Sequence, residues 1–322
     1  MDKKQKQFGF VILHYIALEM TMQCVDNLIN RFGKHDISIV IIDNASPNGS
    51  GKELQNRYHD NKLVTVILND KNEGFARGNN IGFDYLKNNY DIDYMIVMNN
   101  DVLIEQDDFL NKITDIYINN GFDVLGPDIF ESESKKHQNP IEDTIPTIEK
   151  CRKDIQYSKI QLKKDTFNYY KLLILHYTIY IWAKPLIKAI TPKLYQKFIA
   201  AKQQDCHNPT DTQDSIQTPR ENVILNGACF IFSKRFIKNR NYAFYPGTFM
   251  YVEERILSLQ CKKEGYKILY HPDIKIKHLS GVSTNKKHGG KHLIFMWKHL
   301  IKSMQVYIEL YTEYERQSPK LY

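Results

Sequence analysis

Two acidic clusters stand where carboxylates can do chemistry. Asn99-Asn100-Asp101 follows the apolar run Tyr94-Met-Ile-Val-Met98, and Glu253-Glu254 follows Phe249-Met-Tyr-Val252. A turn rich in Asn and Asp at a strand end offers hard oxygen ligands for Mg²⁺ or Mn²⁺, ions that can carry the charge of a diphosphate. The same Asp101 would also serve as a plain helix cap. Adjacent glutamates in a helix ordinarily face solvent. Beside an apolar run they raise one another's pKa, which suits a general base. A third carboxylate, Asp43, closes the β-branched run Ile37-Ser-Ile-Val-Ile-Ile42 and opens the turn Asp43-Asn44-Ala-Ser-Pro47.

Other motifs fail on spacing. Asn48-Gly-Ser-Gly-Lys52 imitates the end of a phosphate-binding P-loop, but Ser46 and Glu53 occupy positions that need Gly and Ser or Thr. Gly74, Gly78 and Gly82 are four apart, not GxGxxG. The stretch Asn72 to Gly82 can either let a helix approach its neighbours or let a nucleotide sit against backbone near a helix N-terminus. His288 and His292 flank Gly289-Gly290, which reads as solvated basic surface rather than a helical zinc pair.

The elements that must position these residues alternate. Phe10–His14, Ile37–Ile42, Leu63–Leu68, Tyr94–Met98 and Asp123–Gly126 read as strands, while Thr21–Ile29 and Phe75–Leu86 carry helical spacing. Continuous apolar strands separated by helices predict an α/β fold with a mostly parallel sheet covered on both faces. Ligands bind such sheets at the carboxyl ends of the strands, where Asp43 and Asp101 stand. Sheet-like sequence stops after Pro127 and resumes at Val223-Ile-Leu and Ala228–Phe232, with further pieces at Lys267–Tyr270 and Ile274–Ile276. Ile294, Trp297, Ile301, Met304, Ile308 and Tyr311 mark a long amphipathic helix at the end.

The 322 residues are 42% hydrophobic and 25% charged, ordinary globular usage that excludes disorder and fibrous folds. Five cysteines without a CxxC pair argue against a disulfide scaffold or zinc module and for a reducing compartment. The apolar run Phe8–Leu18 contains His14 and is followed by Glu19, so it reads as a first strand rather than a signal peptide. No uncharged apolar run reaches membrane-span length. The net charge of +7 resides between Lys159 and Lys202, which holds nine Lys and one Asp. Such a segment suits an anionic partner. Nucleic acid is disfavoured, because no binding-module motif is present.

Together these motifs resemble family 2 inverting glycosyltransferases of the GT-A fold, in particular the bacterial rhamnosyltransferase-like branch that builds surface polysaccharide and capsule. The residues that carry the resemblance are Val11–Tyr15, Ile42–Ser46, Asn72–Ala76 with Gly78–Gly82, Met98–Asp101, Asn226–Cys229, Phe249–Glu254, Gly265-Tyr266, Pro272 and His278–Ser283. It implies transfer of a sugar from a dTDP- or UDP-sugar, with dTDP-rhamnose a candidate, to a lipid-linked glycan. Asp43 would bind the base. Asn44, Asn72, Gly74, Asn79, Asn80, Asn99 and Asn100 would line the nucleotide-sugar. Asp101 and His278 would hold Mg²⁺ or Mn²⁺, Gly227 and Ala228 would face the acceptor, and Glu254 or Glu253 would be the base. Two departures, Asn99 for the first Asp of the metal motif and Ile256 for a second carboxylate, leave open a non-catalytic nucleotide-sugar or glycan-binding protein.

On that resemblance the chain divides into 1–130, the nucleotide-sugar-binding part; 131–222, a partly helical insertion; 223–285, the acceptor-side and catalytic part; and 286–322, a C-terminal helical extension. Residues 167–201 mix Tyr, Trp and aliphatic side chains with Lys, which suits an anionic membrane surface. The implied location is cytoplasmic, peripheral at the inner face of the plasma membrane. Packing on the core or on a second copy, as a homodimer, is the alternative for that segment.

Overall fold

The computed structural model describes residues 6–183, 217–279 and 289–317. Phe8–His14 (β1), Ile37–Asp43 (β2), Val64–Leu68 (β3) and Tyr94–Asn99 (β4) alternate with Leu18–Phe32 (α1), Ser50–Arg57 (α2) and Gly74–Asn89 (α3). The four strands are parallel, in the order β3-β2-β1-β4. Their side chains alternate between two cores. Phe10, Ile12, Ile39 and Ile41 join Cys24, Val25 and Leu28 of α1 on one face. Val11, Val40 and Ile42 join Ala76, Phe83 and Leu86 of α3 on the other. That is the double burial the apolar runs predict.

Val102–Leu103 (β5), Phe109–Asn120 (α4) and Val124–Glu131 (β6) follow. Then come Ile148–Ala183 (α5), Arg220–Glu221 (β7), Cys229–Ser233 (β8), Lys234–Asn239 (α6), Glu253–Glu264 (α7), Ile268–His278 (β9) and Gly289–Gln317 (α8). Among the described residues the sheet runs β3-β2-β1-β4-β8-β6-β9-β5, with β7 beside β9. β8 is antiparallel to β4, with Met98 opposite Cys229. The turn that enters β8 therefore lies beside the turn that leaves β4. Val102 pairs with His278, which brings the end of β9 to the same edge.

Two features differ from the sequence pattern, and a third agrees with it. The polar stretch before residue 167 and the aromatic stretch after it share one helix, α5, because no Pro or Gly interrupts the chain from Ile148 to Ala183. The two strand pieces around Pro272 form one strand, β9, whose register against β6 shifts between Pro127 and Asp128. A bulge of this kind is where a sheet tolerates proline. The C-terminal amphipathic helix is present as expected, as α8, and its apolar stripe is packed. Ile301, Met304, Tyr307 and Leu310 form a third core with Cys151 and Ile155 of α5 and Ile256 and Leu259 of α7.

Candidate active site

The site grows from the sheet edge where β4, β8 and β9 end. Asp101 is nearly buried, and its Oδ1 lies 3.1 Å from His278 Nε2. The other ring nitrogen of His278, Nδ1, lies 2.8 Å from Gln138 Oε1. A carbonyl oxygen only accepts, so Nδ1 carries a proton and Nε2 faces Asp101. This is how a metal-binding histidine is normally oriented. Burial lowers the His278 pKa, but the hydrogen bond and charge of Asp101, with Glu131, outweigh it and raise the value.

The turn Asn226–Ala228 joins this pair to the glutamates. Ala228 accepts the backbone N–H of Asn99 at 2.9 Å. Asn226 Nδ2 donates to the carbonyl of Gln138 at 3.3 Å, and its Oδ1 accepts from Ala228 N at 2.9 Å. Gly227 lies under Glu254: a Cβ there would meet Glu254 Oε1 at 2.5 Å. The Gly227 backbone N–H also bonds to the Glu254 carboxylate.

Glu253 and Glu254 begin α7 and part company there. Thr248 Oγ1 donates to Glu253 Oε1 at 2.9 Å, and Glu253 is buried. Glu254 is half-buried and reaches Gly227. Tyr251 and Val252, just before them, have φ values of 72° and 71°. That is left-handed backbone that a bulky or β-branched residue rarely adopts, so strain is concentrated at this corner. Burial and the neighbouring Glu254 charge push Glu253 up to about 8. Burial also raises Glu254, against its bonds to backbone N–H groups and the charge of Arg255. Both carboxyls are thus raised, and the backbone N–H groups and Arg255 favour the ionised form at Glu254.

At the ends of β1 and β2, Asp43 is buried over Gly51, which has no room for a Cβ beneath the carboxylate. Ser46 N donates to both Asp43 oxygens at 3.2 and 3.3 Å. The neighbouring polar residues serve structure. Asn44 Nδ2 donates to Asn72 Oδ1 and the Gly74 carbonyl, both at 3.0 Å, and its Oδ1 accepts from Glu73 N at 2.8 Å. Asn80 Oδ1 accepts from Ala243 N and Phe244 N at 3.0 Å each. Asn79 Nδ2 donates to Phe75 O at 3.0 Å, while its buried Oδ1 has no hydrogen-bond partner. Gly74 has φ 78° and is pressed against the Phe249 carbonyl. The polar atoms of Asn44 and Asn80 are thus spent on holding loops, and the structure brings Asn80 to residues 243–244.

Three contributors were not assigned to the site from the sequence. Gln138 comes from the region read as an insertion outside the site. His14 is buried between Thr21 Oγ1 and Ser50 Oγ, each 2.7 Å away. Burial lowers its pKa against the pull of Asp43. Ser50 Oγ donates to Asn48 Oδ1 at 2.7 Å and Asn100 Nδ2 to Thr21 Oγ1 at 2.8 Å. A hydrogen-bonded chain therefore links the Asn99–Asp101 turn to the loop after Asp43. The third is α8, which lines the pocket beside Glu254 with Trp297, Leu300 and Met304. His288 and residues 280–283 of the last motif lie outside the described residues.

The profile of glycosyl transferase family 2 matches residues 10–180, and the chain belongs to that family. The match takes in Asp43 and Asp101 and stops before Glu253, Glu254 and His278. No curated protein matches the chain. A crystal structure of GalNAc-T7 with UDP, GalNAc and Mn²⁺ superposes with a TM-score of 0.53 at 15% identity, over 91% of this chain and 48% of that one. The chain thus spans about half the length of this relative. A structure of S. aureus TarS 1–349 with UDP-GlcNAc matches at 14% identity over 40% of this chain and 36% of that one, with a TM-score of 0.35. The fold is GT-A, as the family resemblance implied.

Proposed function

We propose that this chain transfers a sugar from a pyrimidine nucleoside-diphosphate-sugar to a glycan hydroxyl with inversion, as the rhamnosyltransferase-like branch does. The observation that carries the proposal is the Asn226–Ala228 turn, which holds Glu254 on one side and, through Asn99 and Gln138, Asp101 and His278 on the other. One inverting displacement needs a base on the acceptor side and positive charge on the departing diphosphate.

The residues present fit a divalent cation. Asp101 supplies a hard carboxylate oxygen, and His278 supplies an imidazole whose Nε2 Gln138 aims at that oxygen. No group of three metal-binding side chains occurs among the described residues, so diphosphate oxygens and water would complete the shell, as is usual for Mg²⁺. When bound, Mg²⁺ or Mn²⁺ would neutralise the diphosphate as it leaves. GalNAc-T7 carries UDP and Mn²⁺ on the same fold, which supports placing the diphosphate at Asp101.

The chain's own residues do the rest. Glu254 takes the proton of the acceptor hydroxyl, and Gly227 keeps the carboxylate at the turn. Glu253 stays protonated and keeps a second negative charge away from the base. Asp43 accepts the imide N–H of uracil or thymine. On the acceptor side, exposed Phe167, Tyr170, Leu172 and Ile174 share α5 with exposed Lys163, Lys164 and Lys171. That surface suits anionic lipid and a lipid-linked acceptor. No helix among the described residues is long and apolar enough to cross a membrane.

The test is nucleotide release from UDP- and dTDP-linked rhamnose, glucose, galactose and N-acetylhexosamines with Mg²⁺ or Mn²⁺. Turnover lost in EDTA and in Asp101→Ala is expected. Binding of these donors without release in any pairing would indicate a non-catalytic protein, and no binding would overturn the assignment.

A further inference from the structure

A pocket of about 380 Å³ opens beside Glu254 and lies between α5, α7 and α8. Its volume falls in the range of small-molecule sites. One wall is aromatic. Tyr157 of α5 meets Trp297 of α8 edge-on, with centroids 6.2 Å apart and planes at 79°. Trp297 Nε1 donates to Asp165 Oδ2 at 2.8 Å, which fixes the indole by its polar edge. Tyr251, in its left-handed conformation, also lines the pocket.

The rest of the lining includes a charged cluster. Arg255 is paired with Glu142 and, at 3.3 Å, with Asp154, and Glu254 stands beside them. Lys150 also pairs with Glu142 at 2.9 Å, so three carboxylates face two cations that they already engage, and little positive charge is left to attract a phosphate or other anion. The aromatic wall gives nothing to a small hydrophilic ion. A neutral molecule with hydroxyls on its edge and C–H groups on its face satisfies both walls: carboxylates accept from the hydroxyls, and the rings cover the C–H face.

We infer that this pocket is a saccharide subsite in which Trp297 and Tyr157 form the platform for the acceptor sugar, held so that one hydroxyl reaches Glu254. The inference rests on the transferase reading above and adds to it the acceptor's place and the residues that select it. Tyr157 lies within the span matched by the family profile and Trp297 beyond it, so the platform joins a helix of the matched region to the C-terminal helix.

The test is saturation-transfer NMR on the full chain with methyl β-D-glucopyranoside, methyl β-D-galactopyranoside, methyl α-L-rhamnopyranoside and methyl 2-acetamido-2-deoxy-β-D-glucopyranoside. UDP and dTDP with Mg²⁺ report the donor site separately. At least one glycoside should take up saturation, mainly on ring C–H protons. Trp297→Ala and Tyr157→Ala should each reduce that signal five-fold or more while the nucleotide signal holds. Tyr157 is 58% exposed, so its loss will not unfold the chain even if Trp297→Ala does. Glycoside binding that survives in Tyr157→Ala and in a folded Trp297→Ala overturns the subsite. So does nucleotide binding with no glycoside bound, which leaves the donor reading standing. Glycoside binding that depends on Trp297 without nucleotide binding keeps the subsite and removes the transferase reading.

Discussion

Gly227 and Glu254 touch: a side chain on Gly227 would begin 2.5 Å from Glu254 Oε1. The glycine is needed for that approach and not for an unusual backbone angle, since its φ is not among the left-handed ones.

Gly227→Ala should therefore push the Glu254 carboxylate off the turn. We expect kcat to fall ten-fold or more, with donor affinity nearly unchanged. Stability should drop by ~1–3 kcal/mol, the usual cost of overpacking. Steady-state kinetics and a thermal melt read both quantities.

Glu254→Gln should lower kcat by ~10²-fold or more, because a correctly placed base contributes ~10²–10⁴-fold. Glu253→Gln should cost less in rate and should change the pH dependence of stability. Glu253 holds its proton to about 8 in the folded chain, against an ordinary value of 4.5. The unfolded chain gives up that proton first, so stability falls as pH rises across this window. At pH 8 the Gln variant should melt higher than the parent, by a few degrees (~1 kcal/mol or more). At pH 5 the gain should vanish. A variant that melts lower at pH 8 would place the ionised carboxylate at Glu253.

Gln138→Ala should weaken Mn²⁺ binding in the presence of UDP by about 10–100-fold, the usual effect of losing the partner that orients a ligating histidine. The EPR signal of free Mn²⁺ measures this directly. Unchanged affinity would show that His278 does not hold the ion.

Wild-type chain should sediment with phosphatidylglycerol-containing liposomes at low salt and be released as salt rises. Changing Lys163, Lys164 and Lys171 together to Gln should weaken that binding by ~1 kcal/mol per residue. Nucleotide-sugar hydrolysis should be unaffected, since the three lie on the exposed face of α5. Absence of sedimentation by the wild type would direct attention to subunit packing. Lys184, Lys188, Lys193 and Lys197, which add to the basic character of this region, lie outside the described residues.

The strand ends were readable because a buried parallel strand must be apolar throughout and must stop at a polar turn. That rule places Asp43 and Asp101 at strand ends, while the roles expected of them come from the family resemblance. Asn44 and Asn80 carry the same polar signal, and their side chains bond loop groups, Asn44 to Asn69, Asn72, Glu73 and Gly74 and Asn80 to Ala243 and Phe244; type and spacing do not separate a loop-holding use from a binding one. Gln138 was invisible for another reason. It lies in an irregular segment with no period, and only the pairing of β6 with β9 brings it to His278. The division at residue 167 followed composition, while α5 follows the absence of helix breakers.

The order of the sheet also has a kinetic consequence. β1 pairs with β2 and β2 with β3 through single helical connections, and β4 then returns past both to pair with β1. β8 must find β4 and β6 only after the whole stretch from Glu131 to Cys229 has been closed into a loop, and β9 must then find β6. Each doubling of such a loop adds only ~0.6 kcal/mol of closure entropy, but distant pairings are slow to form. The quarter of the molecule that holds Asp43 should therefore be native-like first during refolding, and Glu254 should meet Gly227 last. Hydrogen exchange pulsed during refolding would then protect the amides of Ile39–Ile42 well before those of Phe230–Phe232.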